Sequence, residues 1–183
     1  MKKVKAKNIP PIVCVVGLSD SGKTTILVKL ISEFTGRGFK VGSIKHAAHG
    51  FTMDQAGKDS WRHKEAGAAI TMSASPGQIG MIMDVDHDYH PDELAPFFRG
   101  MDIILVEGYK HKDKPKIEVF DPRVGKEPIL KDDRHLIALM CDVPIDSDVP
   151  RFLRDDVEGL VNFLIDFLDL DITFSTQPRK KVL

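Results

Sequence analysis

The sequence predicts an α/β fold: a three-layer sandwich with a mostly parallel sheet, helices on both faces and extra hairpin strands. Three observations predict it. A short apolar run, Ile12 to Val16, leads through a glycine-bearing loop into a segment of helical periodicity. A second run, from Asp102 to Gly108, is continuously apolar and ends in the carboxylate of Glu107, the pattern of a parallel strand buried on both faces. Two strand-like segments, Ala69 to Ala74 and Ile79 to Asp84, are separated by Ser75, Pro76, Gly77 and Gln78, turn-forming residues suited to a hairpin.

Taken in order, the first helix places Ile26, Leu27, Leu30, Ile31 and Phe34 at helical spacing, and Gly36 and Gly38 stop it. A strand from Phe39 to Ile44 follows, and a strand, helix and strand of this length imply a right-handed parallel crossover. The polar, glycine-bearing loop after Lys45 is long for a plain connection, a property of functional or mobile loops, and it leads into a short helix near Asp59 to Ala66. Between His90 and Gly100 a short helix is expected, with Pro91 at its start and Gly100 past its end. Two further strands, Ile117 to Phe120 and Leu136 to Met140, flank a proline- and charge-rich connection. The last helix is expected from about Arg151 to Asp169, with Asp155 and Asp156 near its positive end and an apolar stripe from Val157 to Leu168. Residues 1–170 read as a single nucleotide-binding domain and 171–183 as a C-terminal tail.

A chain of 183 residues is long enough for one substantial core and too short for two large domains. Its net charge of -1 supplies no general attraction to nucleic acid. The apolar run behind the basic N-terminal residues is too short for a removable signal or a membrane span, so a cytoplasmic protein is expected. Cys14 and Cys141 both sit in apolar segments, which suits buried reduced thiols.

The loop between the first strand and helix, Gly17 to Thr25, reads GLSDSGKTT and has the spacing of a phosphate-binding loop in the strand, loop and helix context that such a loop requires. This makes the sandwich P-loop NTPase-type. Gly17 and Gly22 let the backbone curl so that N–H groups across Ser19, Asp20 and Ser21 face phosphate oxygens at a helix N-terminus. Lys23 supplies charge for the β- and γ-phosphates, Thr24 a hydroxyl for Mg²⁺, and Thr25 a contact for the α-phosphate. Glu107, at the C-terminal end of a buried strand, is a candidate to hold Mg²⁺ or orient an attacking water. Asp54 and Asp59 are candidates for a second magnesium carboxylate, with Asp54 the stronger because Asp59 is equally an N-cap. Lys58 and Arg62 either neutralise a triphosphate or form a solvated helix face, and Lys110 opens a basic run with the same two readings. Asp142 stands where a guanine-reading Asp would stand, without the usual flanking residues, and is equally a loop cap. The histidines 46, 49, 87 and 90 lack a fourth ligand at a recognised metal spacing.

Three stretches, GLSDSGKTT, IKHAAHGFTMDQAGKDSWRHKEAGA and LVEGYKHKDKPKIEV, cover most of residues 12–120 and together resemble the MobB family of molybdopterin-guanine dinucleotide biosynthesis adaptor proteins. The resemblance implies a homodimeric protein that binds GTP and Mg²⁺, hydrolyses GTP weakly, and assists the MobA-type guanylyltransferase that joins GMP to Mo-molybdopterin. It implies that Gly22, Lys23, Thr24 and Thr25 hold triphosphate and metal, with Glu107 and Asp54 completing the magnesium site and Lys110 near the γ-phosphate or the cofactor. Two other classes fit a phosphate loop. A small-molecule kinase or ATP-dependent synthetase needs an arginine-bearing lid, and no clear one is legible. A metal-insertion GTPase needs a compact Cys/His site, which the histidine pairs do not supply.

Overall fold

The computed structural model describes residues 9–171; the basic N-terminal residues and all of the expected tail except Asp171 lie outside them. Backbone contacts divide the described residues into two units, residues 9–46 with 90–171 and residues 47–89.

In the first unit six strands form one parallel sheet: β1 (Ile12–Val16), β2 (Val41–Lys45), β5 (Ile103–Glu107), β6 (Lys116–Val119), β7 (Leu136–Met140) and β8 (Arg151–Phe152), in the order β2-β5-β1-β6-β7-β8. The β5 and β1 runs are apolar throughout because they lie in the middle with both faces covered. On one face, α1 (Lys23–Gly36) and α4 (Val157–Phe167) pack Ile26, Leu27, Leu30, Phe34, Leu160, Val161 and Leu164 against Val13, Val15, Ile103 and Leu105. The other face puts Cys14, Ile104 and Val106 with Ala95, from the short α3 (Pro91–Leu94) and the 3₁₀ turn Ala95–Phe98, and with Tyr109, Leu130 and Leu136. His90 starts α3 with a reciprocal capping box to Glu93.

Asp102 sits at the opposite end of β5 from Glu107, and its Oδ2 accepts the Lys40 N–H at 2.7 Å, tying β5 to the entry of β2. The two cysteines are free and buried, and burial pushes the Cys14 thiol up to about 12.

The last helix begins later than the sequence suggests. Arg151 and Phe152 instead form β8 beside Leu139 and Met140, and α4 starts at Val157. Edge-strand pairing takes the main-chain groups of Arg151 and Phe152, while the Asp156 Oδ1 accepts the Gly159 N–H at 3.0 Å and so caps the helix.

The second unit contains α2 (Asp59–Glu65) and the hairpin of β3 (Ile70–Ala74) and β4 (Ile79–Met83). Its turn is closed by the Ser75 N–H donating to the Gln78 carbonyl at 2.8 Å. Register pairs Ile70 with Met83, Met72 with Met81 and Ala74 with Ile79, so one hairpin face is apolar along its whole length. Lys58 occupies the N-cap of α2, and Asp59 is already inside the helix with no capping bond, so of its two readings the N-cap is not the one the helix uses. Its carboxylate lies 3.9 Å from Arg62 Nη1. Among the described residues no helix is long and apolar enough to cross a membrane.

Candidate functional site

The Gly17 to Thr25 loop emerges from the C-terminal end of β1, the central strand that β5 and β6 flank, and closes onto the first turn of α1. Its curvature rests on three residues with positive φ: Gly17 at 148°, Asp20 at 60° and Gly22 at 92°. No side chain fits at Gly17. A Cβ there would lie 2.4 Å from the Val119 carbonyl oxygen and 2.7 Å from Ser21 Oγ. Ser19, Asp20, Thr24 and Thr25 are exposed at the loop and helix start, whereas Ser21 is buried with a hydroxyl that has no partner among the described residues. Lys23 bends its ammonium back over the loop and donates to the Leu18 carbonyl at 2.6 Å. Its charge is therefore already held at the mouth of the cradle.

Glu107 is where the sequence suggests. The Thr24 hydroxyl donates to Glu107 Oε2 at 2.8 Å across 83 positions of chain, and Lys45 Nζ stands 4.0 Å from the other carboxylate oxygen. A hydroxyl and a carboxylate brought together at a phosphate loop are the hard oxygen donors that Mg²⁺ selects, so this pair fits that ion. The turn behind Glu107 depends on Gly108, at a φ of 107°, with His46 packed where its Cβ would be. The His46 ring stacks on Tyr109 with centroids 4.0 Å apart. Among the described residues no group of three or more His, Cys, Asp or Glu could hold a metal.

Two residues that the sequence reading missed brace the loop from below. Asp121, 2% exposed just past β6, accepts from Arg123 Nη2 at 2.5 Å and from Arg154 Nη1 at 2.7 Å. Arg154 Nη2 then donates to the Ser21 carbonyl at 2.8 Å, and its side chain lies where a Cβ on Gly22 would be. The Arg123 guanidinium, helped by Arg154, holds the Asp121 carboxyl well below the usual carboxylate range. Asp121 carries a weaker signal than Glu107, because the strand before it, Lys116–Val119, includes two charged residues where the run that Glu107 ends is apolar. Arg154 carries none, because it lies 133 positions from Ser21.

A depressed native pKa stabilises the fold above the unfolded carboxyl pKa of about 4, and that contribution is lost as pH falls through the native value. Asp121→Asn should therefore lower stability at neutral pH and bring the variant closer to the parent as the solution is acidified. Denaturant midpoints measured from pH 7 to pH 3 check this, and a pH-independent difference would refute it.

Asp142 lies exposed after β7, and its Oδ1 accepts the Arg154 N–H at 3.0 Å, a loop-capping contact. Lys110 is exposed and lines a cleft with Leu18, Lys112 and Arg134. Asp54, Lys58 and Arg62 belong to the second unit. There Lys58 and Arg62 are exposed, and one Asp54 oxygen accepts the Gln55 N–H at 2.8 Å.

The model of the MobB family, described as molybdopterin guanine dinucleotide synthesis protein B, matches residues 12–142. The chain belongs to this family. It is 37% identical over 170 residues to a molybdopterin-guanine dinucleotide biosynthesis adapter protein of Escherichia coli (strain K12), covering 88% of this chain and 95% of that one. A protein of the same description from Haemophilus influenzae is 35% identical over 169 residues, covering 91% and 94%. The crystal structure of Bacillus subtilis MobB superposes with a TM-score of 0.68 at 26% identity, over 86% of this chain and 98% of that chain. The parallel six-stranded sheet and its helices match the MobB structures. The match to the MobB model takes in the phosphate loop, Glu107, Asp121 and Asp142, and it ends before Arg154.

Proposed function

We propose that this chain is a GTP-binding adapter in molybdopterin guanine dinucleotide biosynthesis, acting in the cytoplasm with the MobA-type guanylyltransferase that attaches GMP to Mo-molybdopterin. The observation that carries the nucleotide part is the Thr24 to Glu107 hydrogen bond at a phosphate loop with Lys23 at its mouth. The adapter part rests on family membership and on the names of relatives covered almost from end to end. Backbone N–H groups of residues 19–25 would bind the triphosphate and Lys23 would neutralise its β- and γ-oxygens. Thr24 and Glu107 would hold Mg²⁺, which would draw charge from the phosphates. Asp142 would accept the N–H donors of guanine. Nothing in this arrangement requires fast hydrolysis.

The test is equilibrium binding of GTP and ATP over one concentration series, with and without Mg²⁺. A Mg²⁺-assisted preference for GTP is expected, and preference for ATP would return the chain to the kinases and synthetases. In the same series Glu107→Gln should flatten the dependence on Mg²⁺ while retaining part of the nucleotide affinity. An unchanged magnesium titration would remove Glu107 from the metal site.

A homodimer is part of this proposal. The apolar hairpin face supports it: Met72 is 58% exposed and Ile79 67% exposed, beside Ile70 and Met81, a contiguous surface that a second copy would cover. Replacing both Met72 and Ile79 by Lys should shift the mass measured by light scattering from dimer to monomer without unfolding the protein. An unaltered mass would put the dimer interface elsewhere.

A further inference from the structure

The second unit contains a cavity of about 350 Å³ between the segment that leads into α2 and the hairpin. That volume is within the roughly 300–1,000 Å³ of small-molecule sites. Met53, Asp54 and Ser60 line it from one side, and Thr71, Ser73 and Ile82 from the other. Two oxygens in its wall, Asp54 Oδ2 and Thr71 Oγ1, are closed off from solvent and have no hydrogen-bond partner among the described residues. Thr71 is itself 8% exposed. A buried carboxylate oxygen and a buried hydroxyl left unpaired on the two sides of one cavity are rare in folded proteins and ask for a partner.

The chemistry of that partner follows from the wall. An ionised Asp only accepts, so the ligand must bring N–H or O–H donors to Asp54, while the Thr71 hydroxyl can donate or accept. Met53 and Ile82 offer apolar surface, which suits the face of a flat ring. A 2-amino-4-oxopyrimidine edge meets these demands together, because it sets a ring N–H and an amino group beside a carbonyl. Pterins and guanine share that edge, and both occur in the dinucleotide for which the family is named.

We propose that this cavity binds a 2-amino-4-oxopyrimidine ring, with Asp54 accepting from its N–H donors, Thr71 bonding the adjoining polar edge, and Met53 and Ile82 covering its faces. Asp54 then reads a ring and does not complete the magnesium site expected from the sequence. The choice of ring rests on the molybdopterin guanine dinucleotide reading above. The cavity and its orphaned oxygens do not.

The test is titration of neopterin, followed by its own fluorescence, and of guanosine into the full-length protein in a Lys23→Ala background, which disables the phosphate loop. Saturable binding of either ring is expected, and which one binds names the source. Asp54→Asn and the isosteric Thr71→Val should each weaken it by about tenfold or more, and Thr71→Ser should restore most of it. Absence of saturable binding for both rings, or affinities unchanged by both substitutions, would overturn the proposal. So would an Asp54→Asn variant, made without the Lys23 substitution, that alters only the Mg²⁺ dependence of GTP binding. GTP binding by the parent and by Thr71→Val is measured alongside. If it persists while neither ring binds in the cavity, the cavity proposal alone fails; if the parent does not bind GTP, the nucleotide reading fails instead.

Discussion

Lys23→Ala is expected to weaken GTP binding at least about 100-fold while leaving the fold in place. Lys23 would make charge-assisted contacts to two phosphates, each worth roughly 1.5–3 kcal/mol, and removal of both gives about 3 kcal/mol or more. Among the described residues the ammonium donates to the Leu18 carbonyl. Its loss costs about 0.5–1.5 kcal/mol and lowers the melting temperature by a few degrees, at roughly 2–4 °C per kcal/mol for a chain of this size. Calorimetric titration with GTP and a thermal melt separate the two effects. Unchanged affinity in a folded variant would overturn the phosphate-loop assignment.

Gly17→Ala is expected to damage binding and stability together. The added methyl would lie 2.4 Å from the Val119 carbonyl oxygen, on a backbone at a φ of 148° that a side chain strains. That oxygen cannot easily yield, because β6 is held between β1 and β7. Overpacking and backbone strain cost roughly 1–3 kcal/mol each, so a loss of about 3 kcal/mol is expected, or roughly 6–12 °C in the melting temperature. Gly36→Ala is the control: a Cβ there meets nothing within 4 Å, so its melt should match the parent or rise slightly. A Gly17→Ala protein that melts like the parent would show that the cradle tolerates a side chain.

The two variants address different layers of one site. Lys23 is a side chain at the mouth of the loop, so on the proposed function its removal would be felt mainly in phosphate binding. Gly17 is the point where the loop's backbone lies against the floor made by β6, so a change there reshapes every donor above it. The brace beneath behaves like Gly17: Arg154 touches the loop through the Ser21 carbonyl and is itself held by Asp121, so their contribution is to its shape.

What was legible in the sequence was whatever is encoded over short distances. The phosphate loop is nine contiguous residues, Glu107 is marked by the apolar run it terminates, and the hairpin is marked by its turn. Each needs only local backbone preference and strand or helix period to be read. The α4 stripe was visible for the same reason. Its start was misplaced because Arg151 and Phe152 are claimed by a sheet edge, and an edge position has no local signature.

By itself the sequence determined the α/β class, the curled glycine loop between β1 and α1, the strand-end carboxylate and the buried thiols, since each depends on neighbours along the chain. Only the tertiary structure decided that β5 enters the sheet between β2 and β1, which is what brings Glu107 to Thr24 across 83 positions. It also decided that Arg154, held by Asp121, braces Ser21, and that Asp54 and Thr71 line one cavity. The physical reason is that strand order and long-range polar contacts are chosen by which buried surfaces and hydrogen-bonding groups can be satisfied together in space. That condition leaves no periodic trace in any single stretch of chain.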